Sequence, residues 1–158
     1  MNRLMEQKWS WIEGSHGMRT GLLDILTDAD LKFSPGGQAM TLGKLCREMG
    51  EIQYSYLRSL KTLKQDFEYR NTTPGMDTSV SQLKAWFQQM DEDMKATLEA
   101  MSEADVNKSV ARAGGFDAPL EMQLVIYIQA LLIFFGKASI YLRVMNKPLP
   151  QAIQDWIG

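Results

Sequence analysis

The chain has 158 residues, of which 45% are hydrophobic and 23% charged, and its formal net charge is −2. A chain of this length is expected to form one domain, residues 1–158, whose core needs neither a disulfide nor a metal ion for stability. The small negative charge argues against nucleic acid or an anionic membrane surface as a partner. The single cysteine, Cys46, excludes an internal disulfide and is typical of a reducing compartment, so we expect a cytoplasmic protein.

The sequence shows no targeting or membrane-spanning segment. The residues MNRLMEQKWSWIEG at the N-terminus mix charges with apolar side chains, unlike the hydrophobic part of a signal peptide. The longest nearly apolar run, LVIYIQALLIFF at 124–135, is shorter than the ~20 residues that a spanning helix needs. We therefore expect no membrane partner.

Apolar residues at three- and four-residue steps predict four amphipathic helices, separated by prolines. The first helix carries Leu4, Met5, Trp9, Ile12, Leu22, Leu23 and Leu26. The second begins after Thr41, its predicted N-cap, and carries Leu42, Leu45, Met49, Ile52, Tyr56, Leu60 and Leu63. The third carries Val80, Leu83, Phe87, Met90, Met94, Leu98 and Met101. The fourth follows Asp117 as N-cap, and one face of it carries Gln123, Tyr127, Ala130, Phe134, Ala138 and Tyr141.

These helices predict an all-α fold, a four-helix bundle, because no segment alternates as a half-buried strand does. The turn SPGGQ (34–38) is short, so the first two helices are expected to be antiparallel neighbours. The longer connections at 68–78 and 107–119 are compatible with an up-down-down-up arrangement with crossovers. A short last helix at 150–156 is expected to pack Ile153 and Trp156 onto the bundle.

The order of segments resembles the DinB-like superfamily of bacterial four-helix proteins. The resemblance covers nearly the whole chain, and its most specific parts are SPGGQAMTLGKL (34–45) and GKASIYLRVMNKPLP (136–150). That superfamily includes bacillithiol and mycothiol transferases and mycothiol-dependent maleylpyruvate isomerase. The resemblance implies an up-down-down-up bundle and, in many members, a homodimer.

The resemblance also implies a divalent metal site, in which one histidine of the second helix and an HxxxH pair of the fourth converge on the ion. Placed on this chain, the second-helix histidine corresponds to Glu48 and the pair to Ala130 and Phe134. A methyl group and a phenyl ring cannot donate a lone pair to a metal ion. We therefore expect no metal and no other cofactor.

His16 is the only histidine, and the spacing from Ile12 and Leu23 puts it on or beside the inward face of the first helix. In an antiparallel pair its level is close to that of Glu48, so the two side chains could meet across the bundle. Three interpretations stay open. The pair is a satisfied polar contact, part of a small-molecule pocket, or an acid/base pair or weak metal site completed by Tyr127 or Tyr141.

Other reactive or charged residues have plainer interpretations. Cys46 lies on the opposite side of its helix from Glu48, and no nearby group predicts a lowered pKa for its thiol. The acidic run Asp91, Glu92 and Asp93 is interpreted as a solvated helix face.

Three functions follow from these observations. The first is a non-catalytic bundle that has lost the metal site and binds a small molecule in its cavity. The second is a thiol-dependent transferase that uses a His16–Glu48 site. The third is a homodimeric interaction module, with contacts from tryptophans such as Trp9, Trp11 or Trp86.

Overall fold

The computed structural model describes residues 2–157. It contains four long helices and a short fifth one, which confirms the predicted all-α four-helix bundle. The helices are α1 (Arg3–Asp24), α2 (Leu42–Thr62), α3 (Val80–Glu99), α4 (Leu120–Val144) and α5 (Gln151–Ile157). Short 3-10 turns lie at Asp30–Lys32 and Asp105–Asn107.

A small hairpin between α3 and α4 was not predicted from the sequence. Its strands, β1 (Ser109–Arg112) and β2 (Phe116–Pro119), are antiparallel and pair Arg112 with Phe116 at the turn. Gly114 and Gly115 in the turn have φ values of 81° and 77°, which residues with a side chain rarely adopt. The Gly-Gly pair was therefore a hairpin signal in the sequence.

The helix starts are explained by local hydrogen bonds. Thr41 caps α2, as predicted, because its hydroxyl accepts a hydrogen bond from the backbone N–H of Lys44 at 3.3 Å. The predicted N-cap Asp117 is wrong, since this residue lies in strand β2. Helix α4 instead begins after Pro119, whose fixed φ marks the change from strand to helix.

The order of helices around the bundle differs from the prediction. Helix α1 packs against α3 and α4, and α2 packs against the same two helices. Helices α1 and α2 therefore lie on a diagonal, and the prediction that they are neighbours is wrong. The reason is that their connection is not the turn SPGGQ alone but the whole segment Ile25–Thr41, which crosses the end of the bundle.

The predicted up-down-down-up arrangement agrees with the contacts between neighbouring helices. In each pair, two contacts at different levels show the relative direction. Helices α1 and α3 run antiparallel (Asp24–Lys84, His16–Asp91), as do α2 and α4 (Leu45–Phe134, Ser59–Gln123). Helices α1 and α4 run parallel (Lys8–Glu121, His16–Tyr127), as do α2 and α3 (Gly50–Trp86, Gln53–Asp91).

Helix α5 closes one side of the bundle. Ile153 is buried, as predicted, whereas Trp156 is about half exposed and rests its ring edge on Trp11 with centroids 5.4 Å apart. Helix α5 thus covers part of α1 and leaves most of the outer face of α4 open.

Candidate functional site

A buried polar cluster lies at the centre of the bundle and joins all four long helices. We define it as His16 and Arg19 of α1, Gln53 of α2, Asp91 of α3 and Tyr127 of α4. The Asp91 carboxylate accepts hydrogen bonds from His16 Nδ1 at 3.0 Å, Arg19 Nη2 at 2.6 Å and Gln53 Nε2 at 2.7 Å. Arg19 Nη1 also donates to Gln53 Oε1 at 2.7 Å. The positive charge of the buried Arg19 guanidinium is therefore compensated by one carboxylate, that of Asp91.

The protonation of His16 follows from its neighbours. Burial lowers the pKa of His16, and this outweighs the opposing effect of its hydrogen bond to Asp91. The neutral ring must carry its proton on Nδ1, because the carboxylate of Asp91 can only accept. Nε2 then accepts a hydrogen bond from the Tyr127 hydroxyl at 2.7 Å. Burial raises the pKa of Tyr127, so that hydroxyl keeps its proton.

Asp91 keeps its negative charge for the opposite reason. Burial alone would raise the pKa of Asp91, but the hydrogen bond from His16 and the charge of Arg19 together lower it. The interpretation of Asp91 as part of a solvated face is therefore wrong. Its neighbours Glu92 and Asp93 are at least partly exposed, as expected.

His16 and Glu48 do not pair with each other. His16 is buried and bonds Asp91 and Tyr127, whereas Glu48 is half-buried and faces a hollow between α2 and α4. The geometry differs from the expectation because α1 and α2 lie on a diagonal and not side by side. Of the two tyrosines proposed to complete this site, Tyr127 contacts His16, and Tyr141 donates to the Met40 carbonyl at 2.7 Å instead.

Glu48, Ala130 and Phe134 come together in one place. They line a hollow of about 140 Å³ between α2 and α4, together with Ile52 and Lys137 among others. Phe134 is buried, and the glutamate carboxylate is the one metal-ligand type among the three.

Two further hollows follow one another from this one through shared lining residues. A second hollow of about 300 Å³ shares Glu48 and Ile52 with the first and adds Phe67 and Arg70. A third, of about 530 Å³, shares Phe67 and reaches Arg112 of the hairpin. We call these three hollows the α2 groove.

Arg112 is held at the hairpin end of the α2 groove by a second buried polar network. Its Nη1 donates to Oε1 of the fully buried Gln123 at 2.6 Å, and its guanidinium lies over the Tyr56 ring, 5.8 Å from the centroid. Gln123 Nε2 in turn donates to Ser59 Oγ at 2.9 Å and Gln65 Oε1 at 2.5 Å. These partners are neutral, so within residues 2–157 no carboxylate forms an ion pair with Arg112.

Comparison with known proteins identifies the family. The family model of the DinB superfamily matches residues 13–130. The chain belongs to the DinB superfamily.

Two solved structures of Bacillus subtilis proteins share the DinB fold of this chain. One is the DinB-like protein YjoA, with a TM-score of 0.73, 16% sequence identity, and 92% of this chain and 96% of the other covered. The other is YfiT, described as a probable metal-dependent hydrolase with an unusual four-helix bundle topology, with a TM-score of 0.72, 15% identity and 90% of each chain covered. Among proteins with curated functions, none matches this chain.

The metal that the DinB resemblance implies does not fit the residues of this chain. The three positions that correspond to its ligands do converge, but Ala130 and Phe134 offer only carbon atoms to the hollow. In the part of the chain that the structure describes, no group of three or more His, Cys, Asp or Glu side chains could hold a metal ion. We therefore derive no chemical step through a metal.

Cys46 is also a poor candidate for chemistry in this DinB protein. It is fully buried, and burial raises the pKa of its thiol to about 12. A thiol with that pKa is almost never ionised at neutral pH and is a weak nucleophile.

The sequence analysis did not predict that Arg19, Gln53 and Asp91 belong to a buried polar cluster. The spacing contained a signal, because Arg19 lies three residues after His16 and four before Leu23, on the same inward face. Asp91 likewise lies four residues after Phe87 and three before Met94, both of which are buried.

Proposed function

We propose that this protein is a DinB-superfamily member that binds a small organic molecule in the α2 groove without a metal ion. The observation that carries the proposal is the convergence of Glu48, Ala130 and Phe134 on one hollow. Two larger hollows adjoin this position through the shared lining residues Glu48, Ile52 and Phe67, so concave surface remains although the metal-ligand histidines are absent.

The lining of the α2 groove favours an organic ligand with polar ends. Glu48 is half-buried, and no hydrogen bond or ion pair to another described residue occupies its carboxylate. Arg112, at the other end, has only neutral partners. Ile52 and the exposed ring of Phe67 lie between these ends and offer apolar contact. A ligand with an apolar body, a cationic or donor group and an anionic group matches this lining.

No observation favours the alternative of a thiol-dependent transferase that uses a His16–Glu48 pair. His16 already uses both ring nitrogens for Asp91 and Tyr127, and the two side chains lie in different parts of the bundle. The proposed activity is therefore recognition and not group transfer.

Ligand binding is tested by the thermal stability of the protein in the presence of small amino acids, organic acids and amines. We expect at least one compound with both charges to raise the melting temperature, because ligands that bind only the folded state stabilise it. Arg112→Ala and Phe67→Ala should remove that shift, while the control Lys108→Ala, in a hollow outside the α2 groove, should keep it. A shift that is unchanged in Arg112→Ala and Phe67→Ala would contradict the proposal.

The loss of the metal site is tested by rebuilding it. We expect wild-type protein purified without chelator to contain no stoichiometric zinc or nickel by elemental analysis. The triple variant Glu48→His, Ala130→His, Phe134→His should bind about one zinc ion, because the three side chains share one hollow.

A matched control replaces Ala130→His by Ile140→His, which adds the same side chain at an exposed residue of α4 that does not line the hollow. This control should bind zinc much more weakly. Equal zinc binding by both triple variants would show that the three positions do not form the site.

A further inference from the structure

A hollow of about 490 Å³ lies where α1, α4 and α5 meet, and it shares no lining residue with the α2 groove. We call it the α5 hollow. Its volume is in the range of small-molecule sites in proteins, roughly 300–1,000 Å³. Its lining includes Trp11 and Gly14 of α1, Ile128 and Leu132 of α4, and Trp156 of α5.

Two tryptophans form a corner of the α5 hollow. The rings of Trp11 and Trp156 meet edge to face, with centroids 5.4 Å apart and an angle of 81° between their planes. Each side chain is 54% exposed, so much of both rings is in contact with water. A flat ring that enters the hollow can stack on the free surface of one indole and turn its edge to the other, the two arrangements that aromatic pairs prefer. The corner therefore favours a flat aromatic ligand.

The other tryptophans considered for intermolecular contacts do not offer such a surface. Trp9 is half-buried, with its ring at right angles to that of His16. Trp86 is also half-buried and stacks on Phe87. Both rings already have partners inside the bundle, so Trp11 is the exposed one of the three.

The floor of the α5 hollow is apolar and continuous with the core. Ile128 and Leu132 lie one turn apart on α4, are half-buried and pack against core residues. Met18 of α1 also lines the hollow and is buried. Because methionine is unbranched and flexible, its side chain can adjust to the shape of a ligand.

Gly14 leaves part of this space open. A Cβ built on Gly14 would have no atom within 4 Å, whereas one built on Gly50 would collide with the ring of Trp86. Close helix packing therefore does not require a glycine at position 14, although a glycine weakens a helix relative to alanine. Because Gly14 lines the α5 hollow, a larger side chain at this position would occupy part of it.

The α5 hollow is lined without charges. Among the described residues that line it, none is Asp, Glu, Lys, Arg or His. Its polar side chains are those of Ser10 and Ser15, and the Ser15 hydroxyl already donates to the Trp11 carbonyl at 2.8 Å. A charged ligand group would lose its hydration here without gaining a counter-charge, so an uncharged ligand is favoured.

A membrane is a poorer match for this side of the protein than a small molecule. By length and composition alone, α4 could cross a membrane, since it has 25 residues and a mean hydropathy of 1.8. Leu124, Leu131 and Phe135 of this helix, however, are buried in the core of the bundle. Insertion of α4 would remove these side chains from that core.

We propose that the α5 hollow binds an uncharged aromatic molecule, which stacks against Trp11 and Trp156 and rests on Ile128 and Leu132. This second site is independent of the ligand proposed for the α2 groove, because the two sites share no residue and the α2 groove has charged residues at both ends.

Titration of the full chain with N-phenylnaphthylamine tests the proposal. The fluorescence of this uncharged aromatic dye rises in apolar surroundings, and we expect saturable binding with a dissociation constant of about 10 µM or lower. Gly14→Leu should weaken dye binding roughly tenfold or more, because the leucine occupies the hollow. Its free energy of unfolding should not fall, since leucine favours the helix and its Cβ meets no other atom.

Gly17→Leu is the matched control for Gly14→Leu. It adds the same side chain at a position of α1 where a Cβ also has no atom within 4 Å, but Gly17 does not line the α5 hollow. This variant should bind the dye as the wild type does. Arg112→Ala should also keep dye binding, which separates this site from the α2 groove. No saturable dye binding by the wild type, whether water or a second copy covers the hollow, would overturn the proposal, as would equal binding by Gly14→Leu and Gly17→Leu.

A second comparison tests the chemical class of the ligand. Trp156→Leu, which keeps an apolar side chain but removes the ring, should weaken dye binding, because stacking on the indole is lost. Naphthalenemethanol, which is uncharged, should displace the dye at a lower concentration than the anion naphthoate, which has the same rings. Equal displacement by both compounds, or unchanged dye binding in Trp156→Leu, would contradict an uncharged aromatic ligand.

Discussion

Arg19 is the residue on which the centre of the bundle depends. It has no exposed surface, yet its guanidinium carries a full charge between α1, α2 and α3. Its long side chain reaches across the diagonal from α1 to Gln53 of α2, which a shorter side chain could not do. Its Nε has no partner in the described structure, so the compensation of the charge depends mainly on Asp91.

Replacing Arg19 by methionine should therefore destabilise the protein strongly. Arg19→Met keeps much of the packing volume but leaves the Asp91 carboxylate without its cation, and breaking a buried pair costs about 3–5 kcal/mol. The free energy of unfolding from urea denaturation measures this effect. Arg47→Met, which removes a half-exposed arginine 3.1 Å from Asp77, should cost at most about 1 kcal/mol. A similar loss in both variants would mean that the central pair adds no special stability.

The sequence predicts apolar core residues better than polar ones at this scale. Leu22, Leu83 and Leu131 are buried because burial of an aliphatic side chain is favourable almost anywhere in a core. The burial of Arg19 and Asp91 depends on each other's position, and these residues are 72 positions apart in the chain. The spacing of Arg19 from apolar residues shows that its side chain faces inward, but it does not show that the Asp91 carboxylate lies beside it.

At the scale of elements, two helical glycines have opposite roles. Gly50 in α2 lies against α3, and a Cβ built on it would be 2.3 Å from the ring of Trp86. Gly17 in α1 has no atom within 4 Å of such a Cβ. The first glycine therefore permits close contact between helices, and the second only weakens its own helix.

Alanine at the two glycines should change stability in opposite directions. Gly17→Ala should raise the free energy of unfolding by about 0.4–1 kcal/mol, because it reduces the entropy of the unfolded chain and favours the helix. Gly50→Ala should lower it by about 1–3 kcal/mol, because α2 and α3 must move apart. Thermal and urea denaturation of both variants measure these changes. A Gly50→Ala variant that is more stable than the wild type would refute the close packing of α2 against α3.

The predicted elements show what sequence patterns can and cannot determine. Helices α1 to α4 follow from the spacing of apolar residues, and the cap at Thr41 is a local interaction that two neighbouring residues specify. The position of α1 opposite α2 is not local. It depends on which faces bury the most surface, and the segment Ile25–Thr41 is long enough for either arrangement.

For the whole molecule, His16 and Asp91 link stability to pH. The folded pKa of His16 lies below its ordinary value of 6.5, so the unfolded chain binds more protons as the pH falls below 6.5. Stability is therefore complete above that pH and declines below it, by at most about 1.4 kcal/mol per pH unit for one proton. The lowered pKa of Asp91 adds a further loss below its ordinary value of 3.8.

The measurement is the free energy of unfolding between about pH 7 and about pH 5. Wild-type protein should lose stability across this range, whereas His16→Gln, which does not titrate there, should show a flatter profile. A His16→Gln profile as steep as that of the wild type would assign the effect to other groups.

The diagonal placement of α1 and α2 also affects how the chain folds while it is being synthesised. In a bundle whose consecutive helices are neighbours, the first two can pair as soon as they leave the ribosome. Here neither can bury its apolar face against the other, and each needs α3 and α4, which are synthesised last. Helices α1 and α2 thus have no neighbouring helix until α3 has been synthesised, and their folding depends on contacts between distant parts of the chain, which form slowly.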